Sequence, residues 1–411
     1  RSGKVTLMED GVLIAPAPYA ASSAYYFPTA GRIAGVEVLK GPAAISQGTY
    51  TIGEAIKLIS TPIADESGGL INQELGQDGT SRTHLHYSVV DTQVALLIES
   101  HTWDTDGFDS IKGSDADTGF DKDDIVVKLR ISSDPSLDGI YHELNIKYQD
   151  SDENSDQSYV GLADADFRKD AHSRYGLSAY DNMDNNHETT SFNYVADFGN
   201  LELSATMYDN DFARNWFKVD KIDNNKVYGH GNGINNIIAA ANAGEATASA
   251  ILNGTNAEAI EIKLKNNNRA YTSEGTDLKL QYTTNNQSLT IGYRDTEDTE
   301  DRFQVYATAD WLNGQLGALT VGSDPGYSSN NRLTAAKATA FYINEEINYG
   351  ALTVNLGYRS EDWEISQDRY VDAARSAIAT DNGYPKQLSD SDNSLMGFGA
   401  TYEVNDTTQL F

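Results

Sequence analysis

The chain has 411 residues, with 30 Lys and Arg against 61 Asp and Glu and a formal charge of −31 at pH 7, a balance that repels polyanions and excludes nucleic acid as a partner. Disordered chains are often this acidic, but 24 Tyr, 12 Phe and 4 Trp set in regular short runs supply the apolar surface of a folded protein. Cysteine is absent, which rules out disulfides and thiolate metal sites. No run reaches the roughly 18 apolar residues of a membrane helix, although a β-barrel crosses a bilayer without one.

From the N-terminus, residues 10–63 form an ordered series. A short β run leads into Ala15-Pro16-Ala17-Pro18-Tyr19 and Tyr25-Tyr26-Phe27-Pro28. The strand Val36-Glu37-Val38-Leu39, a Lys40-Gly41-Pro42 turn and a Gly-studded segment closing on Leu58-Ile59-Ser60-Thr61 follow. Each piece alone is common in unrelated loops. Their order resembles the second half of the plug domain of TonB-dependent outer-membrane receptors, and the two Pro-Tyr stretches are most similar to the ferric dicitrate receptor branch. The sequence departs from that family at Gly53-Glu54, where a Gly-Gly pair is usual, and at Lys57, where Asn is usual. A Glu side chain thus stands where backbones normally approach closely.

After Pro62 the texture becomes period-two segments of about ten residues between turn-rich stretches, the signature of a barrel. Leu201, Leu203, Ala205 and Met207 alternate with Glu202, Ser204 and Thr206, and Leu352, Val354, Leu356 and Tyr358 alternate with Thr353, Asn355, Gly357 and Arg359. The apolar set is expected to face lipid and the polar set the lumen. Short links near Asp91-Thr92, Ser133 to Gly139, Phe198 to Asn200, Asn285 to Gln287, Asn348 to Gly350 and Asn405-Asp406 alternate with long loops. The long ones are expected at residues 104–121, 150–186, 212–272, 297–334 and 363–392, and only the first hairpin, around Gln77 to Ser81, breaks the pattern with a short outer loop. This count gives about thirteen antiparallel strands of the roughly 22 with which plugged barrels close. The fold class is therefore all-β, a partial outer-membrane barrel (residues 64–411) with the C-terminal part of a plug (residues 1–63), and the sequence reads as a truncation at both ends. Residues Ile237 to Leu252, Ala-rich with apolar helical spacing, suggest a short helix packing the longest loop.

No nucleophile elbow or metalloprotease helix occurs, so no enzyme and no cofactor is expected. His84 and His86 read as a lumen-facing polar pair, since a metal site needs more ligands. Asp115 to Asp124 invites a calcium reading but lacks the full loop pattern, so a solvated acidic loop is the default. The resemblance places Arg32 and Glu37 inside the barrel as plug–wall bridges. It turns the loops containing Tyr19, Tyr25 and Tyr26, and Gln47, Tyr50 and Thr51, toward the ligand, where hydroxyls and amides suit a carboxylate-rich chelate. Arg214 and Lys218 are the candidate cations near the mouth; alternatively they pair with loop acids, while Trp216 and Phe217 anchor the strand at the lipid interface.

The resemblance implies a monomeric transporter in the outer membrane of a Gram-negative bacterium. It would be in contact with outer-membrane lipid and with the TonB energy-coupling complex, importing a ferric chelate such as iron dicitrate as its substrate. A receptor of the same build for a sugar or other nutrient, and a passive barrel or adhesin, remain open as alternatives.

Overall fold

The computed structural model describes residues 5–23, 25–48, 54–134, 139–222, 232–325, 330–379, 387–405 and 407–411, with side chains of 387 and 388 outside that set. The first hairpin turns at Asp10-Gly11, both at positive φ (48° and 88°), the conformation that an Asp-Gly pair adopts most readily between two strands. It joins Thr6–Glu9 to Val12–Leu13, and a small sheet grows from it in the order Val12–Leu13, Thr6–Glu9, Ala55–Ser60, Ile33–Leu39. Thr6–Glu9 and Ala55–Ser60 run parallel, the other pairs antiparallel. Glu54, one of the two departures from the resembled plug sequence, takes φ 123°, a conformation that favours glycine and strains an L side chain.

From Gly68 onward a second sheet follows. Its main path has thirteen antiparallel strands in chain order, from Gly68–Leu75 at one edge to Thr408–Leu410 at the other, as the alternation of links predicts. It is an open, partial barrel wall. Three further strands lie off the path, the longest being Val305–Leu312 on the upper part of Ile260–Thr283.

The strands outrun the expected ten residues. Leu201–Ile222 has 22 residues and Ile260–Thr283 has 24; at about 3.4 Å per residue 22 residues extend roughly 75 Å, whereas about 9–11 tilted residues cross a bilayer. Much of the expected loop at 212–272 is therefore strand, and the loops at 150–186, 297–334 and 363–392 shrink likewise. These stretches are rich in Asn, Asp and Thr, which are mostly poor strand formers, but along the strands nearly every residue has a cross-strand partner, as in Asn215↔Asn268 and Asn185↔Arg214. Pairing with a neighbour outweighs intrinsic preference.

Alternation sorts the two faces. On Leu201–Ile222, Leu203 and Met207 are 40% and 56% exposed on the outside, while Thr206, Tyr208, Asn210 and Phe212 are buried on the side of the small sheet. Leu278, Leu280, Phe341 and Leu356 continue the outward apolar band on neighbouring strands. Beyond it, at the long-loop end, the connections fold into a cap with its own apolar core. Tyr175, Leu177, Ile237, Ile251, Ile262 and Trp311 are fully buried together, and the Trp311 indole N–H donates to the Ile251 carbonyl at 2.7 Å. The single helix expected over Ile237–Leu252 is two, Ile234–Asn242 and Ala246–Leu252. The break falls at Gly244, whose φ of 91° ends the first helix.

The small sheet docks on the wall partly through a slot of glycines. A Cβ on Gly357 would lie 2.8 Å from the Pro42 carbonyl oxygen, and one on Gly397 would lie 2.6 Å from Ile45 Cδ1. Only glycine lets the short helix Pro42–Ile45 sit this close. Because the outward band must meet hydrocarbon if the wall sits in a bilayer, Leu203→Arg should destabilise the protein by about 2–4 kcal/mol in lipid if it lies near the midplane. Asp209→Arg, above the band on the same face, should change little. Urea unfolding in lipid vesicles measures both, and equal effects would mean that the band is not lipid-facing.

Candidate functional site

The wall's inner face is mostly polar, so many of its contacts with the small sheet and its loops are hydrogen-bonded or ionic, beside apolar patches where Phe212 and Tyr271 meet Ile14, Ala17, Tyr26 and Leu58, and where Ala336 and Ala338 meet Tyr19. The centre of the polar contacts is the turn Glu9-Asp10. Lys147, from the wall strand Tyr141–Ser155, places Nζ 2.6 Å from Glu9 and 2.9 Å from Asp10. A second wall lysine, Lys128, donates to Ser60 Oγ at 2.6 Å and to the Thr61 carbonyl at 2.8 Å. Arg32 is fully buried, pairs with Glu9 and approaches Asp124 of the wall at 3.9 Å. Burial pushes the Glu9 carboxyl up, but Lys147 and Arg32 outweigh it and bring the pKa from 4.5 down to about 2. Asp10 is likewise held well below the usual carboxylate range, by Lys147 and Lys128 against its burial.

Glu37 does not join this network. It is exposed on Ile33–Leu39, the edge strand of the small sheet, where Val36 and Val38 on the opposite face are exposed as well; Glu9 and Asp10 take the expected role. Tyr26 is also part of the junction. Its ring stacks on His187 at 3.6 Å, and its hydroxyl accepts from Arg32 at 2.8 Å and from Gln149. Burial pushes that hydroxyl's pKa up, and nothing of Tyr26 is presented to solvent.

One loop higher, the wall grips the chain at Tyr19. Asp298 accepts the backbone N–H groups of Tyr19 (2.8 Å) and Ala20 (2.7 Å), and the Tyr19 hydroxyl donates to Glu361 at 2.5 Å. Gln47 meets the wall through its carbonyl, which accepts from Arg294 at 2.7 Å, while its side-chain amide donates to Ser46. Tyr50 and Thr51 lie outside the described residues.

Tyr25 alone of the three tyrosines meets a charged surface without being sealed in. The Arg214 guanidinium lies 3.9 Å over its ring and that of Arg269 5.7 Å, within the range of cation–π attraction. Burial raises the Tyr25 hydroxyl's pKa, but these two arginines carry it below its ordinary value. They belong to a row. Arg214 stands opposite Arg269, Arg269 opposite Arg302, Arg302 opposite Arg332, and Arg332 opposite Arg369. Five arginines in register on five adjacent strands, all at inward positions, span about 19 Å at the usual interstrand spacing.

Neighbouring unit charges about 5 Å apart repel by about 3 kcal/mol at an effective dielectric near 20, so such a row needs an anion. Among the described residues Glu300 supplies one. It is fully buried, and its carboxylate lies 3.0 Å from Arg269, 2.8 Å from Arg302 and 3.0 Å from Arg332. Arg214 is buried with Nε and Nη1 unpaired among the described residues, an arrangement able to take a carboxylate through paired N–H donors. Of the five, sequence reasoning singled out Arg214 only; the others carry no local motif, and their alignment exists only in the strand register.

The remaining candidates go elsewhere. Lys218 Nζ sits 3.3 Å over the Tyr159 ring and 4.5 Å over that of Trp216, and Trp216 donates to the Gln157 carbonyl at 3.3 Å, so both pack the cap. His84 faces Glu99 at 2.7 Å, with the His86 ring 5.4 Å away. Asp124 points inward and is buried, while Asp121 and Asp123 are exposed on the opposite face of Phe120–Ser132. These carboxylates cannot converge on one ion, and no group able to hold a metal occurs among the described residues.

By sequence, no protein-family model and no curated protein matches the chain. By structure it is similar to the ferric citrate transporter FecA in its unliganded form (TM-score 0.65, 14% identity, covering 98% of this chain and 52% of that one). It is also similar to the ferric yersiniabactin uptake receptor FyuA from Yersinia pestis (0.63, 13%, 98% and 54%) and to the siderophore receptor PiuA from Acinetobacter baumannii (0.67, 12%, 98% and 56%). The chain thus spans about half the length of these structures, and at such identities the likeness establishes a shared fold.

The buried ion network makes adhesion pH-dependent. Glu9, lowered from 4.5 to about 2, contributes stability that is fully present above pH 4.5 and is lost as pH falls through about 2, on the order of 3 kcal/mol. Removing Lys147 leaves the buried Glu9 carboxylate and the part-exposed Asp10 without their main partner, so Lys147→Met should cost about 3–5 kcal/mol. Chemical denaturation at pH 7 and pH 2.5 reads both, and Lys147→Met should also reduce the acid sensitivity.

Proposed function

We propose that the chain is part of a TonB-dependent outer-membrane transporter that imports a ferric chelate of the dicitrate type into the periplasm of a Gram-negative bacterium. Residues 1–63 are the C-terminal part of its plug and residues 64–411 the N-terminal part of its barrel. The observation that carries the cargo assignment is the arginine row facing Tyr25 beneath the loop cap. Guanidinium groups aligned on adjacent strands, with donors left over, suit an anion bearing several carboxylates.

The fold shared with structures named for ferric citrate, ferric yersiniabactin and siderophore uptake supports the transporter reading. The same fold serves a protein named as a copper transporter, OprC, so the cargo has to be argued from the site. A neutral sugar would leave the buried Arg214 guanidinium without a counter-charge and the row with more cations than its one internal carboxylate offsets. A passive pore gains nothing from a lumen-filling unit held by buried ion pairs. The protein acts as a carrier and not as an enzyme. It works as a monomer surrounded by outer-membrane lipid, and the TonB complex supplies the energy through a coupling segment that by resemblance precedes the plug.

In this mechanism the chelate passes the cap and exchanges its hydration for the arginine donors and the Tyr25 loop. Movement of that loop then reaches the Glu9-Asp10 junction through Tyr26 and Arg32, consecutive links in one hydrogen-bonded chain. Calorimetry on the full-length protein tests the reading: ferric citrate should bind, and Arg214→Ala should weaken it by about 1.5–3 kcal/mol, the scale of a hydrogen bond to a charged group. Binding of an oligosaccharide or a cationic siderophore with no heat from ferric citrate would remove the cargo assignment and leave the transporter standing.

A further inference from the structure

Glu300 is fully buried in the middle of the arginine row, bridging Arg269, Arg302 and Arg332 from three successive strands. Arg269 and Arg332 each give one N–H to the carboxylate and Arg302 lies 2.8 Å from it, while the Nε atoms of Arg269 and Arg332 are buried without a hydrogen-bond partner among the described residues. Arg214, at one end of the row, keeps two buried nitrogens unpaired among the described residues. The row is therefore organised but not neutralised, with a carboxylate of the protein making contacts of the kind a ligand carboxylate would make beside it.

We propose that Glu300 is an internal counter-anion that sets the affinity of this site. It offsets part of the row's charge so that an anionic, carboxylate-bearing chelate is held firmly enough to be captured and weakly enough to be released. The inference rests on reading the row as the ligand site. The physical need is specific to a transporter: a site that binds its cargo too tightly does not pass it on, as with ions in a selective pore. A row with no internal anion would attract a polyanion more strongly with each added ligand charge and would show steeper screening by salt. Because the carboxylate is held at both oxygens by arginines of neighbouring strands, it stays in place when the ligand arrives, and the net charge seen by the ligand stays fixed.

The test is E300Q in the full-length protein, titrated with ferric citrate and with a neutral ferric trihydroxamate chelate at low and high salt. Expected is binding of ferric citrate about tenfold tighter than wild type at low salt, converging toward wild type at high salt, with slower dissociation and no change for the neutral chelate. E300D, which keeps the charge, should behave as wild type. Should E300Q fail to assemble, R332Q and the double variant E300Q/R332Q carry the test, because the double change restores the net charge: R332Q should weaken ferric citrate binding and the double variant should recover it. Weaker binding in folded E300Q, or a double variant worse than R332Q, would make Glu300 a structural strut and overturn the proposal. A wild-type protein that takes up neither chelate but binds another anion, with E300Q still tightening that anion, would overturn the cargo assignment and leave the role of Glu300 intact.

Discussion

The inner face of the wall is mostly polar, and this constraint governs how the rest of the molecule is put together. A sheet that gives most of its apolar side chains to the outside has few left to glue an enclosed unit in place, so beside the patch around Phe212 and Tyr271 the small sheet is held largely by groups that would be costly to bury singly. Lys147, Lys128 and Arg32 answer Glu9, Asp10 and Asp124. Such pairs contribute little net stability compared with apolar packing, but breaking one is expensive. The junction is therefore specific rather than strong.

The sequence disclosed the wall well and the junction poorly, for a physical reason. Outward residues such as Leu203 and Leu356 alternate with polar ones, and that rhythm survives in one dimension. So did the short turns, which fixed the thirteen-strand path. Strand ends did not, because the upper halves are Asn-, Asp- and Thr-rich segments whose only reason to be extended is a partner strand far away in sequence. Glu37, in a well-formed strand, looked like a lumen charge and is exposed; Glu9-Asp10 sits in what reads as an ordinary Asp-Gly turn and carries the ion network. The helix over Ile237–Leu252 was visible as composition, but Gly244 cut it.

The arginine row shows the same limit. Arg214, Arg269, Arg302, Arg332 and Arg369 are separated by dozens of residues and share no local context. Their alignment depends on four strand registers at once, and a shift of one residue in any of them would turn a guanidinium outward. It also resolves an apparent conflict in the composition. A chain of formal charge −31 is an unpromising receptor for an anion until its charges are placed: many carboxylates lie on the outer face and in the cap, as with Asp121 and Asp123, while the lumen at this level is cationic. The acidic exterior slows approach at low ionic strength and loses that effect within about a Debye length, roughly 8 Å in physiological salt, whereas the row, buried at Arg214 and largely covered at Arg269, Arg302 and Arg332, is screened less.

The glycine slot that receives Pro42–Ile45 has a bearing on assembly order. Gly357 and Gly397 belong to Leu352–Arg369 and Gln387–Asn405, strands made more than three hundred residues after the helix they accept. Contacts that distant in sequence form late, since the loop they close has to be ordered first. For most of the time the wall is being built, the small sheet therefore has no complete seat, and the seating of Pro42–Ile45 is expected among the last steps of assembly.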